Sequence, residues 1–543
     1  MSATNKGFLG WVERTGNRLP DPVFIFFYLI AGLIVLSVIA AGFELSATHP
    51  TQKLADGGAL VLGAQSLLSA QNIARLWVEM PKTFTHFHPL GYVLVVMLGA
   101  GVAERSGLFA TAMSAAVRRA PKLLLTPVTA LVAMISNHAA DAAYVVLIPL
   151  AGVLYAAAGR HPLAGIAAAF AGVSGGFSAN IAPGQLDALL FGITEQAAEA
   201  LVPSYDANIA GNWYFITAMT ATFLPVIWWV TDRVVEPRLG PWSPRAAEAE
   251  GALEAERTDV AGPSEAEGAG AATAADQKRG LVRAGVAALA IALLWAFMAL
   301  GSGTPLIDEA ACPDDQLALG QCSVQARLTP LYQSLVAGFF IAFLAAGWAY
   351  GAAAGTVKSH RDVVQMMSEA MKDLGYYLVL AFAAAHFVAL FNWSNLGLIF
   401  AIHGASGIER SGLPLPALLG VIVLFSSMAN LFIGSASAKW ALLAPVMVPM
   451  LMLLGVSPEG ATAAYRVGDS ATNIVTPLMV YFPLILIFCR RWQKSFGLGS
   501  LTALMIPYSV WLFATGLVLT IGWVALGFDL GPGAPVEYAL PPG

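Results

Sequence analysis

One stretch decides the fold of this chain: Arg466-Val467-Gly468-Asp469-Ser470-Ala471-Thr472-Asn473-Ile474-Val475-Thr476-Pro477. It lies within an apolar run, residues 460–489, that is long enough to cross a bilayer. Hydrocarbon offers no hydrogen-bond partner, so each unsatisfied polar group there costs several kcal/mol. The stretch must therefore line a cavity within the protein. Gly468 and Pro477 bracket its polar residues, which predicts a broken helix whose freed carbonyls face that cavity.

The composition indicates a membrane protein that crosses the bilayer many times. Of 543 residues, 57% are hydrophobic and 11% are charged, whereas soluble domains carry about 25% charged residues. The first apolar run, residues 21–43, has no small-residue cleavage site after it and is predicted to be a retained helix, with the lipid bilayer as its surroundings. The chain has no basic tract, so we expect no nucleic-acid partner.

Two apolar runs, residues 124–157 and 415–455, are too long for one span and carry polar residues at their middles. Each is predicted to be a re-entrant hairpin. With the N-terminus in the cytoplasm, nine transmembrane helices plus two re-entrant hairpins place most Lys and Arg residues inside and the C-terminus outside, as the positive-inside rule requires. The predicted fold class is therefore an all-α polytopic membrane protein. The odd number of spans between its halves makes it an inverted repeat.

This topology divides the chain into six segments. They are a first repeat at 1–238 with hairpin 124–157 and broken helix 163–200, a flexible cytoplasmic linker at 239–280, a connecting transmembrane helix at 281–301, an outer loop at 302–329, a second repeat at 330–526 with hairpin 415–455 and broken helix 460–489, and an outer C-terminal tail at 527–543. The outer loop contains Cys312 and Cys322, which either form a disulfide or remain free thiols.

Each half pairs a polar hairpin tip with a helix interrupted by Gly and Pro. Na⁺ is a hard cation, and freed backbone carbonyls together with Ser, Asn and Asp side chains supply the oxygens that it needs. The candidate Na⁺ ligands are Ser136, Asn137, Ser178, Asn180, Ser435, Asp469, Ser470 and Asn473. The alternative is that these side chains only satisfy the broken backbone.

The charged residues of the opening stretch have two interpretations. Arg466 and Asp469 are three positions apart and can neutralise each other on one helix face. Alternatively, Arg466 binds a substrate carboxylate bidentately and Asp469 helps to bind the coupling cation, Na⁺ or H⁺. Trp440 either stacks on an aromatic ring of the substrate or packs inside the protein. We favour the functional interpretation, an ion-coupled carrier of a small, aromatic anion.

A remote alternative is an intramembrane serine hydrolase. Residues 172–176 match the nucleophile pattern G-x-S-x-G, and Ser174 would act with His138 or His386. That pattern requires a strand–turn–helix in a soluble sheet, whereas here it lies in a hydrophobic helix. His138 with Asp141 is only a weak metal-binding signal, because one His and one Asp do not make a ligand set. We therefore predict that the protein is not an enzyme.

The motifs around these residues resemble those of the AbgT family, the p-aminobenzoyl-glutamate transporters. The resemblance covers essentially the whole chain and is carried by Gly175-Gly176-Phe177-Ser178-Ala179-Asn180 with Asp187, by Gly434-Ser435-Ala436-Ser437-Ala438-Lys439-Trp440, and by Tyr465 through Pro477. More distantly, the chain resembles sodium-coupled dicarboxylate carriers with paired Ser-Asn tips. Its first tip keeps Ser136-Asn137, but its second tip, Ser435-Ala436-Ser437, departs from that pattern.

The resemblance implies a homodimer in a bacterial inner membrane, with a periplasmic C-terminus. It implies secondary active transport of p-aminobenzoyl-glutamate and p-aminobenzoate, with export of sulfonamide antimetabolites, driven by a Na⁺ or H⁺ gradient. The alternative is a sodium-coupled importer of dicarboxylates or other small organic anions. No cofactor is expected, and Na⁺ is the candidate coupling ion. The substrate-binding residues that it implies are Asn180, Asp187, Ser437, Trp440, Arg466, Asp469 and Pro477.

Overall fold

The computed structural model describes residues 21–53, 58–139, 143–242, 273–301, 303–311, 313, 327–476, 478–479 and 481–540. These residues are mostly helical. Four positions singled out in the sequence, Asp141, Cys312, Cys322 and Pro477, lie outside the described residues, as does most of the predicted linker.

The first half of the chain contains ten helices and a small sheet among its described residues. Their bounds are α1 Pro22–Gly42, β1 Ser46–Lys53, β2 Ala59–Gly63, α2 Ala70–Thr85, α3 His88–Arg105, α4 Leu108–Arg118, α5 Leu125–Ile135, α6 Ile148–Ala157, α7 Pro162–Phe170, α8 Gln185–Glu199, α9 Trp213–Trp229 and α10 Glu236–Leu239. Single turns of tighter or wider helix adjoin five of these helices. The tighter turns are Lys122–Leu124 and Ser136–Ala139, and the wider ones are Ala143–Leu147, Ala171–Gly175 and Val230–Val235.

The second half adds eleven helices among the described residues. Their bounds are α11 Ala274–Phe297, α12 Thr329–Gln333, α13 Leu335–Ala354, α14 His360–Asp373, α15 Gly375–Trp393, α16 Leu396–Ser411, α17 Leu415–Asn430, α18 Ala436–Leu453, α19 Pro458–Thr472, α20 Phe482–Trp492 and α21 Leu498–Leu526.

Eight helices in the described part of the chain are long and apolar enough to cross a membrane. Several expose large apolar side chains, among them Phe24 on α1, Leu293 on α11 and Val518 on α21, each more than half exposed. Such exposure is unfavourable in water and favourable in lipid, so the prediction of a multi-pass membrane protein is confirmed. The exact count of nine spans and two hairpins remains a prediction.

The first predicted hairpin consists of two short helices. Helix α5 has 11 residues and α6 has 10, so each is about 15 Å long, which is half the thickness of the hydrocarbon core. Between them lie the tip Ser136–Ala139, three residues outside the described set, and a wide turn at Ala143–Leu147. These lengths suit a chain that turns near the middle of the membrane.

Both predicted breaks are present, but the second lies further along the chain than expected. After α7 the backbone is irregular from Gly176 to Gly184 before α8 begins. Helix α19 continues through Gly468 to Thr472, and the described residues that follow, 473–476, 478–479 and 481, are irregular. The prediction that Gly468 begins the break is therefore wrong.

Gly468 serves close packing instead. A Cβ at this position would lie 2.3 Å from the Val423 carbonyl oxygen of α17. The hydroxyls of Ser426 and Ser427 donate to the carbonyl oxygens of Tyr465, at 2.8 Å, and of Gly468, at 3.2 Å. Helices α17 and α19 are therefore held in backbone contact, which requires a residue without a side chain at this crossing.

An ion-pair cluster joins the ends of the hairpin, the first broken helix and α9. Arg160 pairs with Asp232 and Glu236 and donates to Thr126 Oγ1 at 2.8 Å. Beside it, His161 Nδ1 accepts from the Leu163 N–H at 3.3 Å and caps α7. Burial lowers the pKa of His161, and the neutral ring keeps the lone pair that this cap needs.

The described residues between 44 and 87 and those of the C-terminal tail are both structured. Strands β1 and β2 form an antiparallel hairpin, and α2 follows them. The strands were not expected in a chain predicted to be all-α. In the tail, the Ser457 N–H donates to the Val536 carbonyl at 2.8 Å and the Tyr538 N–H to the Gly455 carbonyl at 2.8 Å. The tail therefore packs against the start of α19.

Candidate functional site

The two broken helices contact each other directly. The Ser178 N–H, in the first break, donates to Ser470 Oγ on α19 at 3.0 Å, and both residues are buried. The sequence predicted these two serines as ligands in separate halves. The structure brings them together in one polar interior formed by both halves of the chain.

Arg466 pairs with Asp187 and not with Asp469. Its Nη1 lies 2.6 Å from Asp187 Oδ1, and the two side chains are 1% and 5% exposed. The other oxygen, Asp187 Oδ2, accepts the Gly184 N–H at 2.7 Å at the start of α8. A carboxylate is favoured at that position by the partial positive charge of the helix N-terminus. The backbone at the start of α8 thus holds Asp187 in place, whereas Arg466 could exchange Asp187 for another acceptor.

Asp469 instead pairs with Lys439, which lies in the first turn of α18. The Lys439 ammonium bonds to Asp469 Oδ1 and also donates to Asn430 Oδ1 at 2.8 Å. Asn430 in turn donates to the Asp469 carbonyl at 2.8 Å, at the end of the second hairpin's first helix. The suggestion that Arg466 and Asp469 simply neutralise each other on one helix face is therefore wrong.

The Arg466 guanidinium is only partly used. Its one ionic bond in the described structure runs through Nη1, and Arg466 Nε is buried with no hydrogen-bond partner among the described residues. An orphaned donor on a buried charged group costs on the order of 1–3 kcal/mol or more. Arg466 therefore has an unused N–H that an incoming acceptor would satisfy.

Trp440 is buried behind an aromatic partner. Its indole ring is 0% exposed and stacks on Tyr465 with 4.4 Å between ring centroids. The indole N–H donates to Thr194 Oγ1 on α8 at 2.9 Å. In this conformation Trp440 ties α18 to α8, as the packing alternative predicted.

Ser437 lies on a narrow apolar cleft next to these pairs. Its hydroxyl is 3.3 Å from that of Ser435. The cleft walls come from α3, α8, α15 and α18 and include two aromatic rings. The residues that line it are Phe87, Pro89, Leu189, Ile193, Tyr377, Leu380, Ala381, Ala384, Ser437, Ala438 and Ala441.

In the first predicted Na⁺ set, two members satisfy local backbone groups. Ser136 Oγ donates to the Ala133 carbonyl at 2.7 Å. The Asn137 amide donates to the Met134 carbonyl at 3.0 Å and, more weakly, to that of Gly176 at 3.4 Å. Both contacts are what the backbone-satisfying alternative predicted for these side chains.

The other two members of this set fit a cation better. Ser178 Oγ is buried with no hydrogen-bond partner among the described residues. Asn180 Nδ2 lies 2.9 Å from His138 Nδ1, and Asn180 Oδ1 accepts the Ile181 N–H at 2.9 Å. The first break thus contains one oxygen without a partner among the described residues and one amide oxygen that accepts a backbone N–H.

The second predicted Na⁺ set is fully engaged with protein groups. Ser435 Oγ accepts the Ala438 N–H at 3.3 Å and caps α18, and Asn473 Oδ1 accepts from Asn430 at 2.8 Å. The Lys439 ammonium pairs with Asp469 and so already occupies the position where a cation would bind. Na⁺ would bind there only by displacing the ammonium.

Comparisons with known proteins agree with this architecture. The sequence matches the AbgT putative transporter family over residues 7–538. The chain belongs to the AbgT transporter family. The p-aminobenzoyl-glutamate transport protein of Escherichia coli (strain K12) is 33% identical over 534 residues, which is 98% of this chain and 97% of that protein.

Two solved AbgT-family structures have the same fold. The YdaH transporter of Alcanivorax borkumensis superposes with a TM-score of 0.81 at 39% identity, covering 94% of this chain and all of that one. MtrF of Neisseria gonorrhoeae, described with a class of antimetabolite efflux pumps, gives a TM-score of 0.84 at 38% identity over 98% of this chain and all of that one.

An AbgT protein is a membrane transporter and not an enzyme, and the geometry around Ser174 agrees. The Ser174 hydroxyl is buried against the Met479 sulfur, 4.0 Å away. The His138 ring faces Asn180 and backbone carbonyls, and His386 Nδ1 lies 2.7 Å from the Phe382 carbonyl. Neither imidazole forms a hydrogen bond with Ser174 in the described structure.

Sequence reasoning missed four members of this AbgT site. Lys439, Asn430, Thr194 and Tyr465 hold the predicted residues in place through the contacts given above. Lys439 carried a usable signal, because a lysine at a membrane hairpin tip must find an anion. Thr194 carried none, since its partner lies 246 positions away.

Proposed function

We propose that this protein is a secondary active transporter of folate-related aromatic anions, p-aminobenzoyl-glutamate and p-aminobenzoate, and that it also exports sulfonamide antimetabolites. Transport is driven by an ion gradient. The Escherichia coli relative, a p-aminobenzoyl-glutamate transport protein, supports the first substrate class. The similarity to MtrF supports the second.

The observation that carries the proposal is the half-used guanidinium of Arg466. A substrate carboxylate is a planar acceptor with two oxygens, and a guanidinium binds it through two parallel N–H bonds. Arg466 has its Nε free among the described residues and its Nη1 on Asp187. The incoming carboxylate would first accept a hydrogen bond from the free Arg466 N–H and would then compete with Asp187 for the rest of the guanidinium. Substrate binding would therefore change the ionic partner of Arg466.

The apolar cleft supports the aromatic part of the proposed substrate. Phe87 and Tyr377 line it, and Ser437 supplies a hydroxyl at one side. Aromatic rings stack favourably on such walls, by about 0.5–1.5 kcal/mol per pair beyond the buried area. The cleft is too narrow for a ring in this conformation, so we propose that α18 moves as substrate enters.

For the coupling ion, we propose the first break as the position where Na⁺ would bind, through Ser178 and Asn180. Their buried oxygens support this, whereas Lys439 already fills the cationic position beside Asp469. If H⁺ drives transport instead, the carboxylates of Asp187 and Asp469 are the groups that can carry it.

We further propose that the protein is a homodimer in a bacterial inner membrane, with its N-terminus in the cytoplasm and its C-terminus in the periplasm. The distribution of Lys and Arg along the sequence supports the orientation. Similarity to the AbgT family supports the location.

The test is counterflow of labelled p-aminobenzoyl-glutamate in proteoliposomes, with Na⁺ and pH gradients imposed separately. We expect saturable flux that one of the two gradients accelerates. Arg466→Lys keeps the charge but loses the planar fork, so its KM should rise by at least tenfold.

The matched control is Arg410→Lys, at an exposed position in the last turn of α16. Its KM should equal that of the wild type. Flux that is unsaturable, or an Arg466→Lys variant with unchanged KM, would contradict the proposal. A sodium-coupled dicarboxylate importer would instead transport small dicarboxylates and reject p-aminobenzoate.

A further inference from the structure

Three metal-ligating side chains meet where α3 begins beside α8. His88 is the first residue of α3, and Glu195 and Glu199 lie one turn apart on α8. One ligand atom from each of the three lies within 4.8 Å of the others. The sequence gives no hint of this cluster, because its members are 107 and 111 positions apart and form no motif.

The backbone is built so that these helices approach closely at this point. A Cβ on Gly192, one turn before Glu195, would lie 3.0 Å from the Pro89 nitrogen and 3.2 Å from the Tyr92 ring. A larger residue would push α8 away from α3. The glycine therefore brings the Glu195 carboxylate within reach of His88.

The ligand atoms are poorly satisfied by the protein itself. His88 Nδ1 is inaccessible to solvent and has no hydrogen-bond partner among the described residues. It lies 3.7 Å from Glu195 Oε2, too far for a hydrogen bond, and Tyr92 reaches the same oxygen only at 3.5 Å. A buried imidazole nitrogen and a nearly free carboxylate that face each other leave a position for a cation between them.

The charge around the cluster also favours a cation. Glu195 and Glu199 bring two carboxylates together here, and the Asp206 carboxylate acts on both from nearby. Asp206 is held by a hydrogen bond from Gln333. Carboxylates brought together repel one another unless a cation or protons lie between them.

We propose that His88, Glu195 and Glu199 bind a divalent transition-metal cation of the Zn²⁺ class. Imidazole with carboxylate oxygens suits Zn²⁺, Co²⁺ and Mn²⁺ and disfavours Ca²⁺ and Mg²⁺, which take oxygen ligands. Zn²⁺ bonds of about 2.0–2.2 Å place tetrahedral ligands about 3.4 Å apart. The three ligand atoms, now within 4.8 Å of one another, would have to move closer together to reach that size, and His88 and Glu199 are both only partly buried.

The site has a fourth position open and adjoins the transport cleft. Three protein ligands leave room for a water molecule or an anion on the metal. Pro89 and Ile193, which line the cleft, lie next to the cluster in the sequence of α3 and α8. Bound metal would crosslink α3 and α8 beside the cleft. This inference does not depend on the proposed function, because it does not involve the identity of the transported substrate.

The experiment uses the purified, tag-free full chain in detergent. Co²⁺ binding is followed by its d–d absorption, and Zn²⁺ binding by titration calorimetry. We expect one metal per chain, and a higher midpoint of thermal unfolding with Zn²⁺ than without. His88→Asn, Glu195→Gln and Glu199→Gln should each weaken binding at least tenfold and remove the rise in the unfolding midpoint.

Two variants outside the cluster serve as matched controls, His86→Asn at an exposed position and Glu79→Gln at a half-exposed position that pairs with Arg75. Both should bind metal as the wild type does. Metal-free thermal unfolding checks that every variant folds. The absence of stoichiometric binding to the wild type, leaving only a His–Glu ion pair, overturns the proposal. Binding that Glu195→Gln and Glu199→Gln leave unchanged overturns it as well.

Discussion

The pair formed by Arg466 and Asp187 gives the sharpest prediction, because stability and substrate binding respond to it in opposite ways. Both side chains are buried, at 1% and 5% exposure. Asp187→Asn keeps the shape of the side chain but leaves the guanidinium as an unpaired buried charge. Removing one partner of such a pair costs about 3–5 kcal/mol, which is a fall of roughly one hundredfold to several thousandfold in the ratio of folded to unfolded protein.

Substrate should reverse that loss. If a carboxylate competes with Asp187 for Arg466, the Asp187→Asn variant has no competitor, and bound p-aminobenzoyl-glutamate restores a negative partner. We therefore expect the substrate to raise the unfolding midpoint of Asp187→Asn more than that of the wild type. The double variant Asp187→Asn/Arg466→Gln carries no buried charge here, so it should recover most of the stability and gain nothing from substrate.

The assay is thermal unfolding in detergent over a series of p-aminobenzoyl-glutamate concentrations, read as a double-mutant cycle. Glu409→Gln, an exposed carboxylate at the end of α16, is the control for the loss of one negative charge. It should match the wild type throughout. The reasoning is refuted if Asp187→Asn is as stable as the wild type, or if substrate stabilises it no more than it stabilises the double variant.

Three further predictions concern packing, the Trp440 contact and orientation. Gly468→Ala places a Cβ 2.3 Å from a backbone oxygen and should cost about 1–3 kcal/mol in stability. Gly522→Ala, with open space around it, should not destabilise the protein. Equal midpoints of thermal unfolding for the two variants would contradict the close crossing of α17 and α19. Thr194→Val removes the acceptor of the buried Trp440 N–H and the partner of the buried Thr462 hydroxyl, and it should cost about 1–3 kcal/mol. Thr217→Val on the exposed face of α9 should cost less than half of that, and equal losses would mean that these buried contacts add nothing. Cysteines introduced at Ser264 and Glu537 should react with a membrane-impermeant reagent from opposite faces of intact cells. Labelling of both from one face would remove the proposed topology.

The sequence alone determined the class of the protein and where its polar interior lies. The reason is that polar residues cannot face lipid. An apolar run with charges at its middle therefore indicates a cavity inside the protein, even when the fold is unknown. The buried positions of Arg466 and Asp469 followed from that rule, whereas the second break begins later than the rule placed it and Asp187 entered only through the family resemblance. The family resemblance rested on the same residues, since they carry the motifs.

Only the tertiary structure decided which charge meets which. Arg466 and Asp469 are three positions apart, but they do not pair with each other. Arg466 pairs with Asp187, 279 positions away, and Asp469 pairs with Lys439, 30 positions away. It also decided the role of Gly468, which belongs to a helix crossing and not to a break. Local spacing fixes which groups share a helix face, whereas the partner of a buried charge depends on which other helix packs against that face. That packing depends on side chains far apart in the chain, and their spacing along the sequence does not reveal it.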